Sequence, residues 1–147
     1  MTIDEILAAG PVMPVVVIDD AAHAVPLARA LVAGGIRAIE ITLRTGAALD
    51  AVRAIARDVP DAIPGVGTAL TVADVLAAMN AGAKFIVSPG MTPALSEAAT
   101  RSGLPFLPGI ATASELMAGM ATGLTAFKFF PAAQAGGVDG LKALGGP

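Results

Sequence analysis

The sequence has no cysteine, tryptophan or tyrosine and a single histidine among its 147 residues. Without cysteine there can be no disulfide, thiolate nucleophile or thiolate-held metal. With only one histidine as well, a metal site would rest on carboxylates, and Asp and Glu form no close cluster along the chain. Phenylalanine occurs five times, so the core must be aliphatic. Charge is also scarce, at 14% of residues with a net charge of −3. No basic patch with interleaved aromatics is present, which argues against nucleic acid as a partner. The start, Met1-Thr2-Ile3-Asp4-Glu5, lacks the basic segment of a signal peptide. The apolar runs break at Pro, Gly or charge before the ~18–20 residues needed to cross a bilayer. The expectation is a soluble, cytoplasmic protein with no membrane partner.

What the chain does contain is aliphatic: apolar residues make up 55% of it, enough for one domain with a real core. Two textures alternate. Short β-rich runs at Val12 to Ile18, Ala38 to Leu43, Ala62 to Gly67, Phe85 to Ser88, Pro105 to Ile110 and Ala126 to Phe130 read as strands. They start about 20–25 residues apart, the length of one βα unit. Between them, Ala24 to Ala33 and Ala47 to Asp58 have helical spacing, and Thr71-Val72-Ala73-Asp74 has the form of a helix N-cap. Ser114 opens a shorter helix, and one more short helix lies in the last 17 residues. Gly34-Gly35, Gly82 and Gly123 fall where left-handed helix ends are expected. Strands apolar on both faces suit a parallel sheet covered by helices. The pattern allows a TIM barrel or an open doubly wound sheet. Gly65-x-Gly67-Thr68 lacks the third glycine of a dinucleotide fingerprint.

In such folds chemistry collects at the C-terminal ends of strands. The second strand ends Ile39-Glu40-Ile41-Thr42-Leu43-Arg44-Thr45, and alternation puts Glu40, Thr42 and Arg44 on one face. A carboxylate inside an apolar strand is costly unless paired or catalytic. A structural Glu40–Arg44 ion pair is the plain alternative. The sixth strand ends Phe127-Lys128-Phe129-Phe130-Pro131. Desolvation among phenylalanines disfavours an ammonium and favours the neutral amine that a Schiff-base nucleophile needs. The alternative is a lysine whose stem packs on Phe while its head reaches water. The ends at Gly67-Thr68, Ser88-Pro89-Gly90 and Pro108 to Thr112 are also ordinary turns. His23, Lys84 and Lys142 read as surface residues.

The segments Gly10 to Val15, Ala30 to Gly35, Ile39 to Thr45, Gly67-Thr68, Ser88-Pro89-Gly90, Pro108 to Thr112 and Phe127 to Ala132 together resemble the 2-keto-3-deoxy-6-phosphogluconate (KDPG) and 4-hydroxy-2-oxoglutarate aldolases. The resemblance runs from about residue 6 to the end, and the pairing of Glu-x-Thr-x-Arg-Thr with Phe-Lys-Phe-Phe-Pro is its most specific part. It implies a class I aldolase on a TIM (β/α)8 barrel, usually a homotrimer, needing no metal or organic cofactor. By that resemblance Lys128 is the Schiff-base lysine and Glu40 the proton shuttle. Arg44 and Thr68 hold the pyruvate end of the substrate, and Pro89 and Phe130 wall the pocket.

The chain departs from the family pattern in three places, one of them the Gln134-Ala135 region, which replaces a Glu/Asn-containing stretch of close relatives. The family continues beyond the final Gly-Pro with a Thr-Gly-Gly turn and a Gly-Ser strand end, which bind the substrate phosphate, and neither occurs in these residues. Ile63-Pro64 places a proline inside the third strand, where an N–H is normally needed. The expectation is one aldolase-type domain over residues 1–147, truncated at its C-terminus to about six βα units, with raw edges at the first and sixth strands. Three functional expectations stay open: cleavage of 2-dehydro-3-deoxy-6-phosphogluconate, an inactive fragment or assembly building block, and an aldolase for an unphosphorylated 2-keto acid such as 4-hydroxy-2-oxoglutarate.

Overall fold

The computed structural model describes residues 1–146. Six short strands lie parallel and side by side in chain order: β1 (Val15–Val16), β2 (Ala38–Thr42), β3 (Ile63–Gly67), β4 (Ile86–Ser88), β5 (Phe106–Ile110) and β6 (Lys128–Phe129). All six fall within the ranges expected from sequence. Helices α2 (Ala24–Ala33), α3 (Ala48–Asp58), α4 (Val72–Asn80), α5 (Pro93–Ser102) and α6 (Ala113–Ala121) connect them. Helix α1 (Ile3–Leu7) precedes the sheet and α7 (Gly137–Leu144) follows it. The architecture is α/β, with β1 and β6 at open edges, so an eight-stranded closed barrel is not present among the described residues.

The sheet is curled. Lys128 on β6 and Glu40 on β2 touch at 3.2 Å, although four strand-to-strand steps separate their strands. In a flat sheet those strands would lie about 19 Å apart. Curling divides the apolar residues into two layers. Ile39, Ile41, Val66, Ile86 and Phe106 face outward and pack with Val52 and Ile55 of α3 and Val75 of α4. Ala38, Ile63, Phe85, Val87 and Leu107 face inward, and Ile6 of α1 joins them. Phe85 fits because Gly65 faces it: a Cβ there would overlap the ring. The inner layer forms a dry floor beneath the C-terminal ends of the strands.

Helices α1 and α5 were not expected from sequence. The signals for α5 were nonetheless present: the Thr92 side chain caps it, Pro93 occupies its first turn, and Gly103 closes it at φ 71°. Gly35, Gly82 and Gly123 adopt the left-handed conformation expected of helix ends. Pro64 is tolerated because its carbonyl accepts from the Lys84 amide ahead of β4, while β3 and β4 pair only at Val66 and Ile86. The missing N–H therefore falls below the paired region.

Three helices open with a reciprocal capping box, Thr2/Glu5, Thr71/Asp74 and Thr112/Glu115. Hydrogen bonds from the Ala111 amide, and then from the Thr112 side chain, hold the Glu115 carboxyl below its usual range. A depressed carboxyl stabilises the fold above its unfolded pKa of about 4.3 and loses that contribution as pH falls through the lower folded value. Thr112→Ala is expected to cost about 1 kcal/mol at neutral pH in urea denaturation. The deficit of Glu115→Gln relative to the parent should be present at pH 7 and shrink below about pH 4.

Candidate active site

Strand alternation delivers the site. On β2, Ala38, Glu40 and Thr42 share the inner face while Ile39 and Ile41 anchor the outer one. The Glu40 side chain is only 4% exposed, and a carboxylate at that depth requires a partner. Lys128 provides it, with Nζ donating to Oε1 at 3.2 Å and Oε2 at 3.3 Å. The lysine side chain is 24% exposed, so the amine end of the pair reaches toward solvent. Among the described residues no buried side-chain nitrogen or oxygen lacks a partner.

The structure corrects two expectations about these groups. Lys128 is not enclosed by three phenylalanines. Phe127 lies on the opposite face of β6, its ring filling the space beside Gly119 of α6, and Phe129 faces Gly140 of α7. Only Phe130 faces the amine, its ring centroid 5.2 Å from Nζ, in cation–π range. Nor is Glu40 paired with Arg44. Arg44 is exposed and makes no ion pair among the described residues.

The strand-end turns are fixed by short-range bonds. Thr42 Oγ1 donates to the Val16 carbonyl at 3.2 Å, and Thr45 Oγ1 donates to the Ile18 carbonyl at 2.5 Å. These two hydroxyls tie the end of β2 to β1 on either side of Arg44. Thr68 follows β3 at φ 60°, the only non-glycine in the left-handed region among the described residues. Its flanks are pinned: the Leu43 amide donates to Gly67, and the Ala69 amide to Val87. A β-branched residue held there stores about 1–2 kcal/mol of strain. Pro89 is half-buried, and its carbonyl lies over Gly109 of β5, where a Cβ would overlap it. The Ser88 hydroxyl donates to the Gly90 carbonyl and closes that turn. Glu40, Lys128, Thr68, Pro89 and Phe130 thus gather at the C-terminal edge of the curl, with Arg44 at its outer rim. His23, Lys84 and Lys142 are exposed, as expected, and His23 makes no capping bond.

The arrangement pairs an amine with a carboxylate that can take its proton, above a dry apolar floor. No group of three or more His, Cys, Asp or Glu side chains is gathered among the described residues. Among the described residues no helix is long and apolar enough to cross a membrane. The sequence reading missed the glycines that clear the inner face. Their signal was the i, i+2 spacing of Gly65 and Gly67, which puts both on one side of a strand.

Comparison with known proteins bears on the family and the fold. The sequence model of the KDPG and KHG aldolases matches residues 3–147. The chain is 54% identical to the KHG/KDPG aldolase of Escherichia coli K12 over 144 residues, covering 98% of this chain and 68% of that one. It is equally 54% identical to the 2-dehydro-3-deoxy-phosphogluconate aldolase of Dickeya dadantii, with the same coverage. Among solved structures, the KDPG aldolase of Legionella pneumophila, holding pyruvate as a covalent carbinolamine, superposes with a TM-score of 0.92 at 47% identity. That match covers 96% of this chain and 68% of the Legionella chain.

Two expectations follow from the geometry. Lys128→Met leaves Glu40 buried without its counter-charge and should cost about 2–3 kcal/mol, somewhat below a fully buried pair because the lysine is partly exposed. Adding Glu40→Gln should restore part of that loss in a urea-denaturation cycle. Thr68→Gly relieves the left-handed strain, so its unfolding free energy should equal or exceed the parent's, by up to about 1 kcal/mol in urea denaturation.

Proposed function

Because the chain belongs to the KDPG and KHG aldolase family, we propose that it is a class I aldolase that cleaves 2-dehydro-3-deoxy-6-phosphogluconate to pyruvate and D-glyceraldehyde 3-phosphate through a Schiff base on Lys128. The observation that carries this is the contact of Lys128 Nζ with both oxygens of the buried Glu40 carboxylate at the strand ends. Glu40 can accept the ammonium proton directly and release the amine as a nucleophile. The amine attacks the C2 ketone, and loss of water from the carbinolamine gives an iminium. That electron sink lowers the barrier to breaking the C3–C4 bond. Glu40, having passed on its first proton, takes the C4 hydroxyl proton as the aldehyde leaves. The enamine is then protonated at C3, and hydrolysis frees pyruvate and the lysine. General acid–base assistance of this kind is worth ~10²–10⁴ in rate.

Arg44 at the rim suits a bidentate, charge-assisted grip on the substrate carboxylate. Thr68, held in its left-handed turn, offers a hydroxyl and backbone N–H to the same end. Pro89 and Phe130 wall the pocket. The continuous inner and outer apolar layers support one aldolase-type domain built on a TIM-barrel plan. A cytoplasmic location and a homotrimeric state belong to the same proposal, and light scattering of the purified protein tests the second.

A second substrate is favoured by the double name of the Escherichia coli relative, KHG/KDPG aldolase. Under that alternative the chain also cleaves unphosphorylated 4-hydroxy-2-oxoglutarate. Incubation with pyruvate and borohydride should leave a stable adduct on Lys128, located by peptide mass. A folded protein that gives no adduct would refute the Schiff-base assignment. Steady-state rates with the phosphorylated and unphosphorylated substrates then separate the two specificities. An adduct without turnover of either substrate would mark a site that binds pyruvate but does not complete the cycle.

A further inference from the structure

Glu40 has its Cα partner in Gly65 of β3, yet its side chain does not stand over that residue. The Phe85 ring already fills the space above Gly65. The Glu40 side chain instead leans along the strand and lies over Gly67, two residues further on. A Cβ on Gly67 would overlap Oε1 and sit 2.5 Å from Cγ and 2.7 Å from Cδ of Glu40. Gly67 is buried and lies outside the left-handed region, so its backbone conformation does not itself demand glycine. What demands glycine there is the space taken by the carboxylate.

We propose that Gly67 is a positioning residue for the aldol reaction: its missing side chain is the seat that holds the Glu40 carboxylate within reach of Lys128. This deepens the Schiff-base assignment and rests on it for its catalytic part. With the Glu40 side chain lying over Gly67, both carboxylate oxygens reach Nζ. A methyl group there would push the carboxylate away from the amine and from the position where a C4 hydroxyl would lose its proton. Gly67 touches no reacting atom and acts only through Glu40. Glycines at 65 and 67 therefore have separate tasks, one admitting the hydrophobic floor and the other the proton carrier.

The test is a double-mutant cycle of Gly67→Ala with Glu40→Ala, read by turnover and by stability. Gly67→Ala should lower kcat by ~10–100-fold, the scale of a catalytic group displaced by about 1 Å, with KM changed less than about threefold. In the Glu40→Ala background the same substitution should leave kcat unchanged within about twofold, since the group it displaces is gone. A residue with a merely structural role would lower kcat by similar factors in both backgrounds, and that outcome overturns the proposal. So does a Gly67→Ala protein with parental kcat. Urea denaturation gives a second readout that needs no activity: Gly67→Ala should lower the midpoint, and Glu40→Ala should relieve most of that drop. Should Gly67→Ala alone fail to fold, a folded double variant supports the seat and an unfolded one refutes it. If the parent forms no pyruvate adduct, the aldolase assignment fails while the stability cycle still decides whether Gly67 seats Glu40.

Discussion

The contact between Lys128 and Glu40 constrains everything around it. The two residues are 88 positions apart in sequence, and their strands are four steps apart in the sheet. The contact requires the sheet to curl until β2 and β6 face one another. A carboxylate as deep as Glu40 has a large desolvation cost, which only close geometry and full pairing offset. The protein meets both conditions, with one carboxylate, one amine, both oxygens engaged, and no orphaned buried side-chain atom nearby among the described residues. The same closeness gives the amine an immediate proton acceptor, so the structural solution and the chemical one coincide.

The interior is arranged to make that contact possible. Glycine on the inner face is a device for admitting other groups. Gly65 admits the Phe85 ring, Gly67 the Glu40 carboxylate and Gly109 the Pro89 carbonyl. The apolar floor keeps water beneath the pair scarce, which strengthens every electrostatic interaction above it. Turns at the rim are fixed by hydroxyls from Thr42, Thr45 and Ser88, and the backbone at Thr68 is held in the left-handed region. Local stability and local chemistry are therefore set by different residues of the same strands. The outer faces of β2 and β3 bind the helices, and the inner faces carry the Glu40–Lys128 pair above the apolar floor.

The relation to the aldolases follows from this division. A relative at 54% identity and a solved structure at a TM-score of 0.92 share the plan over nearly all of this chain, which spans 68% of each of their lengths. The described residues hold the Lys128 amine, the Glu40 carboxylate and the turns at the strand ends. At the open edge formed by β1, Val15 and Val17 are about half exposed.

The sequence by itself determined the alternation of strands and helices, the parallel α/β class, the helix ends at Gly35, Gly82 and Gly123, and the two strand ends that carry Glu40 and Lys128. These follow from local rules, namely period, capping and turn chemistry, that act over a few residues and are written in order along the chain. Tertiary structure decided what those residues meet. Sequence allowed Glu40 to pair with Arg44 four residues further on, and curling gave it to Lys128 instead. Sequence set Lys128 among three phenylalanines, and alternation across β6 turned two of them away toward α6 and α7. It marked Gly67 as part of a turn, and the lean of the Glu40 side chain made it a seat. Partner choice depends on curvature and side-chain direction summed over many strands, and no short window of sequence contains that sum.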